Sequence, residues 1–388
     1  MEIIHLILGK ANPNRMNGVN KVVNEMATRQ FQAGYPVQVW GITSNPIHDY
    51  PERNFKTILF QSYSNPFKID PELRAAFRNY AGNIVVHIHG AFLPTFYSAT
   101  KLLHSLNIPY IITPHSTYNK VMMKKNGVIK KIYFRFFEKK LLDNAFCVHL
   151  LGKSEWEGLE AIYNNDKSVL IPYGFTKPAT TATTFPNQQN FKVAYCGRMA
   201  IYPKGLDILI HGFSHFNKLY PTSQLILIGD GKDKSKLQQL SKDLGIEKAV
   251  DFTGGLFGNE KVNKLKECHV FAHPSRTDGL PATIVEAASL GIPCVVSDAT
   301  NTGGFITKYD AGYFMEKLDA KEFSKGLQIM YKRIIEKNEG VKLQENSIRM
   351  ITEAFDWELI LKKFNEIYTS ALMSSKDKNQ ISPIISMI

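Results

Sequence analysis

The feature that most restricts the fold is the alternation of short apolar runs with helix-like segments along almost the whole chain. Many runs are apolar throughout, which is typical of strands that are covered on both faces. Repeated strand–helix–strand units predict right-handed βαβ connections and parallel sheets. We predict strands at residues 2–8, 36–42, 56–61, 84–88, 109–113, 145–151, 168–171, 191–196, 223–228, 249–253, 268–273 and 292–297. Helical patterns lie between them, for example at residues 18–33, 205–219, 232–244, 259–267 and 281–290.

A chain of 388 residues is longer than a single hydrophobic core usually accommodates, which favours two domains. A stretch rich in proline, glycine and threonine interrupts the pattern and suits an exposed linker. We therefore predict an α/β protein of two Rossmann-like, doubly wound parallel-sheet domains that face each other across a cleft. The predicted parts are a first domain at 1–172, a linker at 173–190, a second domain at 191–355, a helix at 356–373 that packs back on the first domain, and a flexible tail at 374–388.

Composition places the chain among ordinary globular proteins, with 44% hydrophobic and 21% charged residues. No apolar run reaches the roughly 18 residues that span a bilayer. The N-terminus lacks the basic region of a signal peptide, so we expect a cytoplasmic protein. The cysteines Cys147, Cys196, Cys268 and Cys294 are far apart and have no CxxC spacing. We expect buried free thiols rather than disulfides or a zinc site.

The net charge of +12 is concentrated in the first half, where residues 1–180 hold 21 Lys and Arg against 12 Asp and Glu. The densest basic stretch is 120–140, where lysines alternate with apolar and aromatic residues. One interpretation is a helix on the surface of an anionic membrane, with contacts from Lys124, Lys125, Lys130 and Lys131. The other is a helix that buries its apolar stripe and solvates its lysines. No nucleic-acid module signature is present, so we expect no nucleic-acid partner.

Two motifs in the second half place charged residues at the ends of predicted strands, where open parallel sheets bind ligands. Gly197-Arg198 is followed by Lys204-Gly205, and the loop 275–281 with Asp278 precedes Glu286. Arginine, lysine and the free amides at a helix start suit a diphosphate, with Pro281 at the first helical position. Carboxylates suit the hydroxyls of a ribose and a sugar. A nucleotide-sugar fits this mixture of groups. The alternatives are that Arg198 and Lys204 are solvated surface cations, that Asp278 only caps the N-terminus of the following helix, and that Glu286 only interacts with the helix dipole.

These motifs resemble the retaining glycosyltransferase family 4, or glycosyl transferases group 1, which has the GT-B fold. The family carries a Gly-Arg…Lys-Gly element, a Glu-x7-Glu element ending in Glu-Ala, and then Gly-x-Pro-Val. The residues that carry the resemblance here are Gly197, Arg198, Lys204, Gly205, Asp278, Glu286, Ala287 and the run Gly291-Ile292-Pro293-Cys294-Val295. Asp278 departs from the family's first glutamate, and its shorter side chain reaches less far.

The resemblance implies a role for each matching residue. Arg198 and Lys204 are expected to bind the donor diphosphate, Glu286 the ribose and Asp278 the sugar ring. Gly197, Gly279 and Leu280 are further donor-side residues. The nucleoside-diphosphate sugar is then a substrate, and neither a divalent metal nor another cofactor is expected, because the two cations and the helix start stabilise the leaving diphosphate.

The first half contributes three further candidates. Gly18 precedes a helix where the family places a glycine-rich loop over the phosphates, although a plain turn fits the sequence equally well. His89 and His115 follow apolar strands, in His-Ile-His-Gly and Thr-Pro-His-Ser, and are expected on the acceptor side. The resemblance places His115 against the donor sugar and the acceptor, and a structural role is the alternative. It is not expected to be a general base, because the leaving phosphate takes the proton.

We therefore predict a retaining, metal-independent hexosyltransferase. It would move a sugar from a nucleoside-diphosphate donor to a hydroxyl of a glycan or lipid-linked acceptor, in cell-surface polysaccharide or glycolipid synthesis at the inner face of the membrane. One alternative is a catalytically impaired nucleotide-sugar-binding protein of polysaccharide assembly. Another is a Rossmann oxidoreductase, suggested by Gly229-Asp230-Gly231, but position 234 is lysine where that motif needs a third glycine.

Overall fold

The computed structural model describes residues 1–13, 18–80, 83–124, 126–175, 185–186 and 190–376. It divides into two compact units. Unit 1 comprises Met1–Gly174 and the C-terminal segment that begins at Trp357, and unit 2 comprises Phe175–Asp356. Most of the predicted linker, and the predicted tail from residue 377 onward, lie outside the described residues.

Unit 1 contains a seven-stranded sheet in which every pairing is parallel, with strand order β3-β2-β1-β4-β5-β6-β7. The strands are β1 (Glu2–Leu8), β2 (Val37–Thr43), β3 (Lys56–Gln61), β4 (Ile84–His89), β5 (Tyr110–Thr113), β6 (Cys147–Leu150) and β7 (Ser168–Leu170). The helices are α1 (Gly18–Gln32), α2 (Pro71–Tyr80), α3 (Pro94–Ser105), α4 (Lys120–Lys124), α5 (Gly127–Tyr133), α6 (Lys139–Asn144) and α7 (Lys153–Glu160). A π-helical turn at Phe134–Glu138 joins α5 to α6.

The two faces of this sheet differ in chemistry, because successive side chains of a strand point to opposite faces. Leu6, Ile88 and Ile112 belong to a large apolar core cluster. The alternate positions of the same strands carry buried polar side chains such as His5 and His87, which are paired across β1 and β4. One face therefore packs as an apolar core while the other must satisfy buried hydrogen-bonding groups.

Unit 2 contains a six-stranded sheet, again all parallel, with strand order β10-β9-β8-β11-β12-β13. The strands are β8 (Lys192–Cys196), β9 (Gln224–Ile228), β10 (Val250–Gly254), β11 (Val270–His273), β12 (Cys294–Ser297) and β13 (Gly312–Met315). The helices are α8 (Ile201–Lys204), α9 (Leu206–Leu219), α10 (Lys234–Asp243), α11 (Gly258–Lys266), α12 (Ala282–Ser289), α13 (Gly303–Tyr309), α14 (Ala320–Tyr331) and α15 (Gly340–Ala354). Both sheet faces are covered, with Val193 in one apolar cluster and Ala194 in another.

The last helix, α16 (Trp357–Lys376), belongs to unit 1. It contacts α1 and β4, and its Phe364 and Tyr368 are fully buried. Tyr368 lies against the polar face of the sheet, where its ring meets His87 at 5.8 Å between centroids. The C-terminal helix therefore completes the core of the unit that begins the chain.

The fold class predicted from the sequence is confirmed, since each unit is a doubly wound parallel α/β sheet. A strand lies at each of the twelve predicted positions, and β13 was missed because it begins with a glycine and three of its four residues are only partly buried. The helix expected to start at Pro281 starts one residue later, with Pro281 as its N-cap. All four cysteines are free and buried, as predicted. Among the described residues, no helix combines the length and apolarity needed to cross a membrane.

Candidate active site

The strand order of unit 2 explains why motifs far apart in sequence come together. β8 and β11 are neighbours at the point where the order of the sheet reverses, the usual binding position in such folds. The segment after β8 contains Arg198 and the short helix α8, which ends at Lys204. The segment after β11 contains the loop with Asp278 and leads into α12. Both predicted motifs therefore leave the sheet at its switch point.

Lys204 and Asp278 form a close ion pair, with the lysine Nζ 2.7 Å from each carboxylate oxygen. Asp278 Oδ2 also lies 3.0 Å from Nε2 of His273, the buried last residue of β11. Burial lowers the pKa of His273, so it is neutral at neutral pH and donates its Nε2–H. Burial alone would raise the pKa of Asp278, but the hydrogen bond from His273 and the charge of Lys204 hold that pKa well below its usual range.

The loop after β11 is fastened to α8 and α9, which explains the position of Asp278. The amide groups of Arg276 and Thr277 and the Ser275 hydroxyl all donate to the carbonyl oxygen of Pro203. The Arg276 guanidinium makes a bidentate pair with Asp207, with both distances 2.7 Å. The planar guanidinium donates two parallel hydrogen bonds, so it holds the loop more rigidly than a lysine ammonium could.

Gly205, between α8 and α9, permits the close approach of this loop. Its φ of +64° lies in the left-handed region, and a Cβ there would stand 1.8 Å from the Pro274 carbonyl oxygen. No side chain fits such a space, and glycine alone adopts this backbone conformation without strain. The Lys-Gly pair of the motif thus has a lysine that reaches Asp278 and a glycine that lets the two segments meet.

Arg198 differs from Lys204 because its side chain is exposed and has no hydrogen-bond or ion-pair partner among the described residues. Gly279 and Leu280 are half-buried in the loop before α12, and the Gly279 carbonyl accepts a hydrogen bond from the Asn301 amide at 2.5 Å. The first amides of α12 precede any intrahelical acceptor. The segment after β8 therefore offers an unpaired cation, and the loop after β11 offers a helix start.

Glu286 is paired with a lysine that sequence reasoning did not identify. Its Oε1 lies 2.7 Å from the Nζ of Lys261, which stands on α11, and both side chains are about four-fifths buried. No motif or spacing in the sequence links positions 261 and 286, so only the structure reveals the pair. His273 was also missed, although its position at the end of a strand directly before the motif loop was a usable signal.

The three candidates of unit 1 occupy different environments. Gly18 is the first residue of α1, and residues 14–17 before it lie outside the described residues. His89 ends β4 and is buried, and its Nδ1 lies 3.0 Å from Nε2 of His115. His115 is half-buried, has a left-handed φ of +52°, and stacks on Tyr173 with ring centroids 5.9 Å apart.

His89 and His115 belong to a larger hydrogen-bonded set, which we name the histidine row. Its other members lie on the polar face of the sheet and on the two helices that cover it; they are His5, His87, Thr113, His149, Gln30 of α1 and Tyr368 of α16. All members except His115 are buried. Burial lowers the pKa of His5 to about 4, of His149 to about 4 and of His115 to about 3, and lowers those of His87 and His89 well below the usual value.

The basic stretch of unit 1 forms α4, α5 and the π-helical turn. Its apolar residues are not all turned inward, since Val128, Ile129, Ile132 and Phe136 are more than half exposed. Lys124 and Lys131 are exposed beside them, whereas Lys130 donates to the Met122 carbonyl at 2.6 Å. Lys125 lies outside the described residues. The segment presents apolar and cationic side chains to solvent together.

Two family models match the chain in succession. The model of "Glycosyltransferase Family 4" matches residues 16–175, and that of "Glycosyl transferases group 1" matches residues 177–354. The chain belongs to the family 4 glycosyltransferases. The border between the two matched segments nearly coincides with the border between the two units at residues 174 and 175.

Individual relatives are distant. An uncharacterized glycosyltransferase of Haemophilus influenzae is 23% identical over 92% of this chain and 97% of its own length. A shorter match is to the Escherichia coli UDP-Gal:alpha-D-GlcNAc-diphosphoundecaprenol alpha-1,3-galactosyltransferase, 31% identical over 29% of this chain and 28% of that enzyme. Several other curated relatives match over less than two thirds of their own length.

Among solved structures, Anabaena HepE in complex with UDP and glucose has a TM-score of 0.70 and 16% identity. The match covers 95% of this chain and all of that one. At this identity the similarity shows that the two chains share a fold and does not extend to substrates.

Proposed function

We propose that this glycosyltransferase transfers a hexosyl group from a nucleoside-diphosphate sugar to a hydroxyl group with retention of anomeric configuration and without a divalent metal. The observation that carries the proposal is the group of charged side chains at the switch point of unit 2. Exposed Arg198, the Lys204–Asp278 pair and the start of α12 leave the sheet from the two neighbouring strands β8 and β11. One relative whose name includes UDP-Gal and a similar solved structure in complex with UDP support a nucleotide donor.

The resting ion pair of Lys204 is compatible with anion binding. A lysine ammonium has three N–H donors, and Asp278 takes two of them, one for each carboxylate oxygen. The third remains for a phosphate oxygen, and Arg198 adds a planar fork that has no protein partner among the described residues. In this proposal both cations and the α12 amides stabilise charge on the departing diphosphate. Asp278 orients the sugar hydroxyls and Glu286 those of the ribose.

Donor binding tests this proposal without knowledge of the acceptor. We expect one class of UDP-, GDP- or ADP-sugar to raise the melting temperature in the presence of EDTA, because a ligand of the native state stabilises it. Arg198→Ala should abolish this shift, whereas Lys218→Ala, which removes an exposed cation at the end of α9, should leave it unchanged. Binding that needs added magnesium would contradict metal independence, and an equal loss in both variants would contradict the diphosphate role of Arg198.

Turnover separates the transferase from an impaired binder. We expect slow donor hydrolysis, or transfer to a glycan or lipid-linked hydroxyl, with the product retaining the anomeric configuration of the donor by NMR. Donor binding without hydrolysis or transfer to any acceptor would favour a nucleotide-sugar-binding protein of polysaccharide assembly instead. Inversion of configuration would refute the retaining mechanism while preserving the transferase.

We further propose that α4, α5 and the π-helical turn contact an anionic membrane, which would bring a lipid-linked acceptor to the enzyme at the inner face of the membrane. Exposed Ile129 and Ile132 supply apolar area, and exposed Lys124 and Lys131 attract anionic lipid, each by about 1 kcal/mol. The name of the Escherichia coli relative, which includes GlcNAc-diphosphoundecaprenol, supports a lipid-linked acceptor.

Liposome co-sedimentation tests this surface. Lys124→Ala combined with Lys131→Ala should weaken binding to anionic vesicles, and Ile129→Ser should weaken it further. Lys56→Ala, which removes an exposed lysine of β3, is the matched control. Equal binding of the wild type to neutral and anionic vesicles, or equal loss in the control, would remove the membrane role.

A further inference from the structure

The histidine row is one continuous chain of hydrogen bonds with a half-buried end at His115 and a fixed end at a backbone carbonyl. Its members, in order from the exposed end, are His115, His89, His5, Gln30, Tyr368, His87, Thr113, His149 and the carbonyl oxygen of Ile171. The sheet register brings these side chains close together, since His5 lies opposite His87 and His89 lies opposite Thr113, and the hydrogen bonds join them diagonally. All these groups belong to unit 1.

The backbone carbonyl at the fixed end determines which nitrogen of each histidine ring carries the proton. The oxygen of Ile171 can only accept, so His149 carries its proton on Nε2, 2.7 Å away. A neutral imidazole then has a bare Nδ1, which accepts the hydroxyl hydrogen of Thr113 at 2.7 Å. That hydroxyl has no second hydrogen, so it accepts from Nε2–H of His87 at 2.6 Å.

The same logic continues through the two covering helices. His87 Nδ1 is now bare and accepts the hydroxyl hydrogen of Tyr368 at 2.8 Å. The Tyr368 oxygen accepts from the Gln30 amide at 3.4 Å, which turns Gln30 Oε1 toward His5 Nε2 at 2.6 Å. The opposite amide orientation would place two acceptor oxygens against each other. His5 therefore donates from Nε2.

The last two steps reach the exposed end. His5 Nδ1 is bare and accepts from Nε2–H of His89 at 2.9 Å. His89 Nδ1 is then bare and accepts from Nε2–H of His115 at 3.0 Å. The only ring nitrogen of the row with no partner among the described residues is Nδ1 of His115, and the proton order leaves it bare.

We propose that the histidine row holds His115 as a neutral imidazole protonated at Nε2, so that its Nδ1 meets substrate only as a hydrogen-bond acceptor. Gln30, Thr113, His149 and Tyr368 are then positioning residues that act through the row. That the group donating to Nδ1 of His115 is a sugar or acceptor hydroxyl rests on the proposed function. The positions of the protons along the row do not depend on that function. A neutral His115 also adds no positive charge beside a sugar that becomes cationic in the transition state.

A metal ion is the competing use of the same residues. One nitrogen from each of His5, His87 and His89 lies within 4.8 Å of the others, and the three rings are buried. However, every ring nitrogen of these three residues already has a hydrogen-bond partner at 3.0 Å or less. Metal binding would break the row at two or more places, so the satisfied chain is the better assignment.

Proton positions can be read directly by NMR of the full-length protein labelled with ¹⁵N-histidine, with signals assigned from single His→Gln variants. Long-range ¹H–¹⁵N correlation at neutral pH should show the five row histidines as Nε2–H tautomers with an unprotonated Nδ1. Burial supports this neutrality, because it lowers the pKa of all five histidines. A proton on Nδ1 of His115, or an imidazolium there at neutral pH, would overturn the proposal.

Variants locate the cause in the row. Thr113→Val removes the hydroxyl that joins His87 to His149, and Tyr368→Phe removes the hydroxyl that donates to His87. Both variants should therefore change the tautomers of the histidines between the substitution and His115. Thr113→Ser, which keeps the hydroxyl, should restore them, and Tyr163→Phe, which removes a tyrosine hydroxyl bonded to Asp143, should leave them unchanged. Unchanged tautomers in both Thr113→Val and Tyr368→Phe would also refute the proposal.

Two further outcomes separate the hypotheses. Stoichiometric zinc in the purified protein by elemental analysis, with shifted nitrogens of His5, His87 and His89, would replace the hydrogen-bonded row by a metal site. The predicted tautomers in a protein that binds no nucleotide sugar would preserve the row and refute the proposed function instead.

Discussion

Acidification should unfold unit 1 steeply, because its buried histidines must take up protons to unfold. Burial lowers the pKa of all five row histidines below the ordinary 6.5, to about 4 for His5 and His149, to about 3 for His115, and well below 6.5 for His87 and His89. Between pH 6.5 and about 4 the unfolded chain therefore holds up to five protons that the native unit lacks. These histidines therefore do not lower the free energy of unfolding above pH 6.5, and they lower it progressively as the pH falls below 6.5.

Two buried carboxyl groups act in the opposite direction. Burial raises the pKa of Glu138 and of Glu155 to about 7 from the ordinary 4.5, so the native unit holds two protons that the unfolded chain has released. Their contribution is complete below pH 4.5 and is lost as the pH rises through about 7. Near pH 5.5 the five histidine protons and the two carboxyl protons act in opposite directions, so the unfolded chain binds about three protons more than the native unit. This difference corresponds to a fall in the free energy of unfolding of about 4 kcal/mol per pH unit. One pH unit then removes a large part of the roughly 5–15 kcal/mol that stabilises a typical native protein.

Tryptophan fluorescence reports this transition from unit 1 alone, because Trp40, Trp156 and Trp357 are the three tryptophans of the chain and all lie in that unit. Urea unfolding between pH 7 and pH 5 should show a falling midpoint. Glu155→Gln should steepen the dependence by about one proton, or about 1.4 kcal/mol per pH unit. Glu157→Gln, at a half-exposed position beside Lys120, is the control that should not. A flat profile from pH 6.5 to 5.5, or a shallower one in Glu155→Gln, would refute the reasoning.

Two further predictions concern unit 2. Glu286→Gln should raise the donor KM about tenfold through the loss of a charged hydrogen bond, whereas Lys261→Met should change it less than threefold, as initial-rate kinetics would show; equal effects would contradict the ribose role. Gly205→Ala should destabilise the unit by well over 1 kcal/mol, because it combines a left-handed φ with a contact of 1.8 Å to Pro274. Gly245→Ala, at a similar φ of +69° in open space, should cost only about 1 kcal/mol in circular-dichroism melting, and the reverse ranking would contradict the packing argument.

Most strands of both sheets could be predicted because burial on two faces requires short segments in which most residues are apolar. The short β13 escaped since three of its four residues are only partly buried. The order of the strands in each sheet leaves no such pattern in the sequence. The pairing of β8 with β11, which brings Lys204 to Asp278, becomes visible only in the structure.

The partners of the site residues could not be predicted for the same reason. Lys261 and Glu286 stand on different helices, and each alone resembles an ordinary surface charge. The histidine row did leave a signal, because His87 and His89 alternate with apolar residues within one strand. Such alternation in a strand of a buried parallel sheet indicates a polar face, and a polar face that is covered must contain a satisfied network. We expect that rule to identify similar rows from sequence.

The two units hold polar groups by different physical means, and the difference matches what each group can do. In unit 2 the pairs Lys204–Asp278 and Lys261–Glu286 join full charges whose side chains are about one-fifth exposed. Water and an anion can reach such pairs, so a ligand can exchange contacts with them at moderate cost. In unit 1 the histidine row is neutral, buried at all members except His115, and satisfied by its own hydrogen bonds. A ligand can therefore change the pairing in unit 2, whereas in the histidine row of unit 1 it can meet only the half-buried end, His115, whose proton is already assigned.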